Sequence, residues 1–468
     1  MKYLLQVIIM IILQGVTAMV MAKSSLPCEL NRSAVTRGFT NKNATLKMFQ
    51  FDREYTCLNH GSYGSVPIPV RDVRRCWSSV VESAPDLWYR FHMYETVDRV
   101  RKRISDYINS ESPEDVVFVD NASHGINAVL RSLASNLLRD TNSKVLYLQT
   151  AYQMVKNTLR FLNNVFDDQL LMLNVSFPTS DQGKHSLDDA IIRAVENVLE
   201  SNTGDIKLAV ISHITSVPAV IYPVKRLTKL FHKHKVQVLV DGAHCLGQIP
   251  IDVQDIDSDY YVANGHKWLY SPKGSAILYV RPDRQDIIYP TTISYEGKGS
   301  SEFQIGFSYQ GTQDMTQFVT MLAALDFRDT ISNGNDTAIM DYMHDLAVQG
   351  GSLLVRTKYV CVCVCVYFTT IHSIHQRQAE AWNTELLLPT ESFGAMVDVR
   401  VPSTNATLMS ELPQRLLSEY STYVPMYSWD NGGVWDEPKW YARVSAQIFN
   451  NLDDFQFLAN AVKKMLGA

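Results

Sequence analysis

Apolar residues in this chain gather in short runs that stop at turn-forming or polar residues. Residues 236–240 (VQVLV) make one such run, which stops at Asp241, Gly242, Ala243 and His244. Residues 259–263 make a second, which stops at Asn264, Gly265, His266, Lys267 and Trp268, and residues 276–280 make a third. Runs of this length bounded by turn residues predict buried strands. Upstream, residues 116–119, 144–149, 169–175 and 206–211 have the same character. Stretches that read as helices lie between them, at 128–138, 187–199 and 224–234. Strands alternating with helices predict an α/β architecture. Residues 71–109 are rich in helix formers, and Val97, Val100, Ile104, Tyr107 and Ile108 repeat at helical spacing. The segment 86–94 (DLWYRFHMY) sits between two such helices, its aromatics suited to the core or a subunit interface. From residue 320 a smaller unit is expected, with strands at 396–401 and 440–445.

The pattern puts an acid, Asp241, at the end of one strand and a lysine, Lys267, at the end of the next. In open α/β sheets, ligands bind beyond the carboxyl ends of strands. A lysine there can form a Schiff base with an aldehyde cofactor while an acid pairs with its pyridinium nitrogen. DGAH at 241–244 and NGHKW at 264–268 resemble the class V aminotransferase branch of the fold-type I pyridoxal phosphate enzymes, on the side of the isopenicillin N epimerase-like proteins and cysteine-sulfoxide lyases. Cysteine desulfurases share the pattern. The resemblance runs from about residue 51 to the C-terminus. It implies a large domain, 51–319, with a mixed, mostly parallel seven-stranded sheet flanked by helices, and a smaller C-terminal α+β domain, 320–468. It also implies pyridoxal 5'-phosphate as cofactor and a small-molecule amino acid as substrate.

The same resemblance distributes roles. Lys267 would carry the cofactor and move the substrate α-proton, and Asp241 would keep the ring nitrogen protonated. DNASHGIN at 120–127 resembles the family's phosphate turn, where free N–H groups meet an anion at a helix start. Ala122 and Ser123 would serve there, with a plain helix cap by Asn121 or Ser123 as the alternative. Tyr152 would stack on the pyridine ring. SHITS at 212–216 resembles the segment that bonds the ring oxygen, through Ser216 or else His213. His244, Asn264 and His266 complete the expected cofactor set. Thr312, in SYQGT at 308–312, would reach the phosphate of a neighbouring subunit, a hint of a homodimer. YARVSAQIFN at 441–450 resembles the family's RxSxxxYN segment, with Phe449 where Tyr is usual, and its Arg443 would bind the substrate carboxylate. LNHGSYG at 58–64 resembles a substrate-side loop of the epimerase-like proteins. It makes Asn59 and His60 candidate substrate contacts, with ordinary turn roles as the alternative.

Length and charge narrow the rest. A chain of 468 residues allows more than one domain. A net charge of −5 and a pI near 6.2 give no reason to expect a nucleic-acid partner. No His/Cys spacing suggests a metal site. Lys2, an apolar run over 3–21 and the small residues Val20 and Ala22 predict a secretory signal peptide, 1–22, cut after Ala22. An uncleaved membrane anchor through 3–21 is the alternative. Residues 23–50 then read as a polar surface arm. Sequons at Asn31, Asn43, Asn121, Asn174, Asn335 and Asn405 suit a secreted or lumenal glycoprotein, although Asn121 falls in the expected phosphate turn. In an oxidising compartment Cys28 could pair with Cys57 or with Cys76.

One stretch breaks the pattern. Residues 355–376 read VRTKYVCVCVCVYFTTIHSIHQ, and strict Val-Cys alternation is what translation of a GT repeat gives. The flanking codons are compatible with splice signals, and excision joins two halves of one helical pattern. A retained intron is therefore expected; an edge strand is the alternative. The reaction stays open between racemisation, β-elimination and transamination. Desulfuration fits less well, because it needs a thiolate. The only cysteines between Lys267 and Arg443 are Cys361, Cys363 and Cys365, all in this stretch. A secreted binding protein that keeps the fold without turnover is the remaining rival, opposed by the intact Asp241, His244, His266, Lys267 and Arg443.

Overall fold

The computed structural model describes residues 26–134, 143–165, 170–178, 186–202, 206–294, 300–355, 382–429 and 439–467. The expected signal peptide and all of the Val-Cys stretch except Val355 lie outside them. The large sheet comprises β1 (Val116–Val119), β2 (Lys144–Leu148), β3 (Leu171–Val175), β4 (Ile206–Ser212), β5 (Gln237–Asp241), β6 (Tyr260–Asn264) and β7 (Ala276–Val280). Its seven strands run in the order β1-β7-β6-β5-β4-β2-β3. Strand β7 is antiparallel to both neighbours and the other pairs are parallel. A small antiparallel sheet, β8 (Met396–Arg400), β10 (Lys439–Ser445) and β9 (Met426–Trp429), stands in that order. This is the mixed, mostly parallel architecture that the sequence implies.

Strands β6 and β7 are buried along their whole length, and β5 at all but its first residue. Their side chains alternate between two hydrophobic clusters: Val240, Tyr261 and Ile277 in one, Leu239, Val262 and Leu278 in the other. A strand covered on both faces must be apolar at successive positions, which is why these runs were readable. Each such side chain contributes roughly 1.5–3 kcal/mol on burial.

Two regions depart from expectation. The helix after β1 spans Ala122–Ala134, so it starts six residues before the expected 128. The Asn121 side chain accepts from His124 N–H at 3.1 Å and starts the helix directly at the strand end. Ser123, Gly125 and Asn127 are weak helix formers, which hid this first turn. The segment 23–50 is no polar surface arm: Leu30, Val35, Phe39, Met48 and Phe49 are buried. Phe49 packs edge-on against Phe449 at 4.8 Å and Tyr270 at 5.9 Å, so the arm fills a seam between distant parts of the chain. Of the two disulfides open to it, Cys28 forms the one with Cys76, on helix Ile68–Ser83. Between the helices Ile68–Ser83 and Met93–Tyr107, Trp88 packs on Trp77 as core, whereas Phe91 and Tyr94 are exposed.

Helix Asp336–Val355 leads to the Val-Cys stretch. On its far side Trp382 N–H donates to Leu354 O at 2.8 Å and Thr384 N–H to Val355 O at 3.2 Å. The described chain therefore resumes beside the point where it stops. No described helix is long and apolar enough to cross a membrane.

Candidate active site

The carboxyl ends of β1, β4, β5 and β6 meet at one edge of the large sheet. A cleft of about 230 Å³ opens there, lined by Ala122, Ser123, Tyr152, Ser216, Asp241, His244, Asn264, His266 and Lys267, together with Ser62, Tyr63 and Met154. Every cofactor residue expected from sequence except Thr312 is brought together. Thr312 is exposed, bonds Tyr309 Oη at 3.3 Å, and lies outside the cleft of its own chain.

Lys267 Nζ lies 3.0 Å from His244 Nε2. Burial first, and the Arg443 charge second, hold the lysine well below its ordinary pKa, against the pull of Asp241. Asp241 Oδ1 accepts from Ala243 N–H at 3.0 Å, and its second oxygen has no donor among the described residues. Burial raises the Asp241 pKa, while the Ala243 N–H and Lys267 oppose the rise. Burial keeps His244 neutral, its pKa far below 6.5. Its Nδ1 receives the Trp268 indole N–H at 3.5 Å.

At the opposite end of the cleft, helix Ala122–Ala134 points its N-terminus inward. Ala122 N–H is taken by Asn264 Oδ1 at 2.8 Å, so Asn264 ties this turn to the lysine strand. The Ser123 hydroxyl remains for an anion. His266 Nδ1 bonds Ser275 O at 3.2 Å, which puts the ring proton on Nδ1. Burial lowers its pKa to about 4, and a phosphate dianion would pull it back up. The loop after helix His60–Tyr63 presses on this turn. Gly64 has φ +67°, and a Cβ there would sit 1.9 Å from His266 O. Only glycine permits both the backbone angle and the contact.

Two expected substrate contacts are placed elsewhere. His60 is buried, and its Nε2 bonds the Lys267 carbonyl at 2.8 Å under Trp268 and Phe449. It props the lysine backbone and does not line the cleft, because its aromatic neighbours draw the ring into the core. Asn59 is turned to Arg443, whose Nη2 donates to Asn59 Oδ1 at 3.0 Å and to Ser62 Oγ at 2.7 Å. Arg443 Nη1 donates to Ser216 O and Oγ, each at 3.0 Å. Arg443 thus stands behind Ser62 and Ser216, which form the wall between it and the cleft. Ser216 serves the arginine, and His213, bonded to Tyr261 Oη at 2.8 Å, does not line the cleft. Tyr152 is half-exposed at the mouth. Sequence reasoning passed over Ser62, Tyr63 and the Trp268 indole, although all three stand inside motifs that it quoted.

An acid with a free oxygen, a half-buried amine, a flat ring and a helix start with a hydroxyl fit the ring nitrogen, aldehyde, ring face and phosphate of pyridoxal 5'-phosphate. At the edge of this sheet they define a fold-type I pyridoxal phosphate enzyme. A family model described as aminotransferase class-V matches residues 81–364, and the chain belongs to that family. The sequence is similar to L-cysteine desulfhydrase of Arabidopsis thaliana, 28% identical over 430 residues that cover 87% of either chain. It is also similar to hercynylcysteine sulfoxide lyase of Schizosaccharomyces pombe, 24% identical over 426 residues, 89% of this chain and 96% of the relative. The fold matches a cystine C-S lyase solved with its product cysteine persulfide, with a TM-score of 0.68 at 17% identity over 88% of this chain and 97% of that one. The protein is a pyridoxal phosphate-dependent enzyme; retention of the whole donor set disfavours the binding-protein rival.

Proposed function

We propose that the protein is a carbon–sulfur lyase acting on cysteine or an S-substituted cysteine. The carrying observation is the free-amine geometry of Lys267 in a cleft lined by no thiol among the described residues. Cys57 and Cys245 are buried, and neither lines the cleft. The relatives' names support the same reading. Bound pyridoxal phosphate withdraws electrons from the α-carbon of an amino substrate. Lys267, once free of the cofactor, takes the α-proton as a neutral base. Asp241 holds the proton of the ring nitrogen. Arg443 attracts the α-carboxylate, with the Ser62 and Ser216 hydroxyls between them. Loss of the α-proton, departure of the β-sulfur as a thiol and hydrolysis give a 2-oxo acid and ammonia. The test is to incubate the holoenzyme with L-cysteine. Sulfide, pyruvate and ammonia in equal amounts are expected. Alanine in place of pyruvate would mark a desulfurase, and D-cysteine without ammonia an epimerase; either overturns the reading.

We further infer a glycosylated homodimer of the secretory pathway. The Cys28–Cys76 disulfide suits an oxidising compartment, and Asn31, Asn43, Asn174, Asn335 and Asn405 are exposed whereas Asn121 lines the cleft. Glycosidase-sensitive protein in the medium of expressing animal cells would agree; an unglycosylated cytosolic product would refute it. Thr312, exposed and outside its own cleft, supports the dimer, and a monomer in sedimentation would count against it. The meeting of Leu354 with Trp382 supports absence of residues 355–376 from the mature protein. Transcripts that mostly read through the Val-Cys codons would defeat that inference.

A further inference from the structure

Trp268, His244 and Lys267 form a short chain of hydrogen bonds, buried at the tryptophan end, whose donor order is set there. An indole N–H can only donate. It points at His244 Nδ1, so that nitrogen carries no proton. A neutral imidazole then holds its proton on Nε2, 3.0 Å from Lys267 Nζ. That N–H needs an acceptor. A neutral amine has a lone pair to offer and an ammonium has none. We propose that Trp268 fixes the proton on His244 and thereby keeps Lys267 a free amine, the form that attacks an aldehyde. This rests on the reading of Lys267 as the cofactor lysine.

The alternative order is costly. An ammonium at Lys267 would have to donate to Nε2. The ring proton would move to Nδ1 and face the Trp268 N–H, donor against donor. Trp268 is 0% exposed and His244 3%, so no solvent relieves that conflict. The other groups acting on Lys267 divide. Asp241 on β5 and Cys245 in the following turn favour the ammonium, while Arg443 from β10 disfavours it. His266, next to the lysine, disfavours a cationic His244, as Arg443 and Lys267 also do. Trp268 is therefore a positioning residue that opposes Asp241. Without its N–H the imidazole is free to exchange tautomers and the ammonium gains a partner.

The test uses the full-length protein stripped of cofactor. Capture of pyridoxal phosphate is followed against pH, fixed with borohydride and located by mass spectrometry. In Trp268→Phe the midpoint of capture should move up by about one pH unit, which corresponds to about 1.4 kcal/mol. Capture should be about tenfold slower near pH 7 and equal to wild type at pH 10. His244→Gln presents a carbonyl to Trp268 and an N–H to Lys267, the same order; its cofactor affinity will fall, since His244 lines the site, but its capture midpoint should stay that of wild type. A uniform loss at all pH values in Trp268→Phe, an unmoved midpoint, or an upward shift in His244→Gln each overturns the proposal. An adduct on a different lysine in wild type overturns the reading of the site itself. An adduct on Lys267 with coincident profiles overturns the relay alone.

Discussion

Lys267 belongs to the seven-stranded sheet and Arg443 to the three-stranded one. Both stand at one cleft, Lys267 half-buried in its lining and Arg443 buried behind it, and both can carry positive charge. Among the described residues the lysine amine has a single close partner, a neutral imidazole. The arginine donates to four oxygens, from Asn59, Ser62 and Ser216. Burial pulls both pKa values down, but a lysine yields within the accessible pH range and an arginine does not. The fold therefore leaves one cation few acceptors and surrounds both terminal nitrogens of the other with them, although Arg443 Nε has no partner among the described residues. The group proposed to react becomes neutral, and the group proposed to hold a carboxylate stays charged. Intrinsic basicity, together with hydrogen-bond supply, separates their roles.

The largest test of this contrast is Lys267→Ala. It should abolish borohydride-fixable cofactor and lower turnover by about a thousandfold or more, since acid–base catalysis alone accounts for roughly 10²–10⁴. Circular dichroism should show the fold unchanged. A pyridoxyl group found on another lysine would break the comparison at its first term.

Neutralisation by burial extends to the histidines, which makes stability strongly pH-dependent. Burial lowers His60 to about 3 and His213 and His266 to about 4, against 6.5 when unfolded. Below pH 6.5 the unfolded chain binds protons that the folded chain refuses. Stability is thus complete above 6.5 and is lost as pH falls toward 4. By pH 5 each of these histidines should cost about 1–2 kcal/mol, giving a several-kcal/mol drop between urea unfolding at pH 7.5 and at pH 5. Equal stability at both would mean that the histidines are not held neutral.

Arg443→Ala tests the arginine side. Affinity for an amino acid should fall about ten- to a hundredfold, with little change for the decarboxylated amine, read by spectroscopic titration. Arg443→Lys should recover only part, because a point charge cannot replace a planar fork. Cofactor should stay bound in both. Loss of cofactor would make Arg443 a structural prop.

The smallest effect belongs to Asp398, which faces Arg443 across the β8–β10 pairing and whose Oδ2 accepts from Ala219 N–H at 2.5 Å. Burial pushes its carboxyl up to about 6. A raised carboxyl contributes stability below its unfolded value of 3.8 and loses that contribution as pH rises through 6. Asp398→Asn should therefore add about 2 kcal/mol more stability at pH 8 than at pH 4.5. Destabilisation at pH 8 would make Asp398 a required counter-ion of Arg443, and the contrast between the two cations would no longer rest on neutral acceptors.

Much of the large sheet was legible in the chain because its central strands are covered on both faces. A continuous apolar run then ends abruptly where the strand meets solvent or ligand, and Asp241 and Lys267 stand at those ends. The outermost strand hides more, since β3 is only partly buried and its pattern is mixed. The reading of residues 23–50 as a surface arm failed for a related reason. Its apolar residues are scattered among polar ones and are covered only by rings from remote parts of the chain, such as Phe449. What the sequence determined alone was local: strand runs, turn residues, and the residue types set at strand ends. Tertiary structure decided the partner of Cys28, the inward turn of His60, and the commitment of Asn59 and Ser216 to Arg443. Asn59 and Arg443 are separated by 384 residues, and no periodicity records which of several nearby donors an acceptor will meet. The protonation of Lys267 likewise depends on which nitrogen of His244 faces Trp268, and that orientation exists only once the strands are packed.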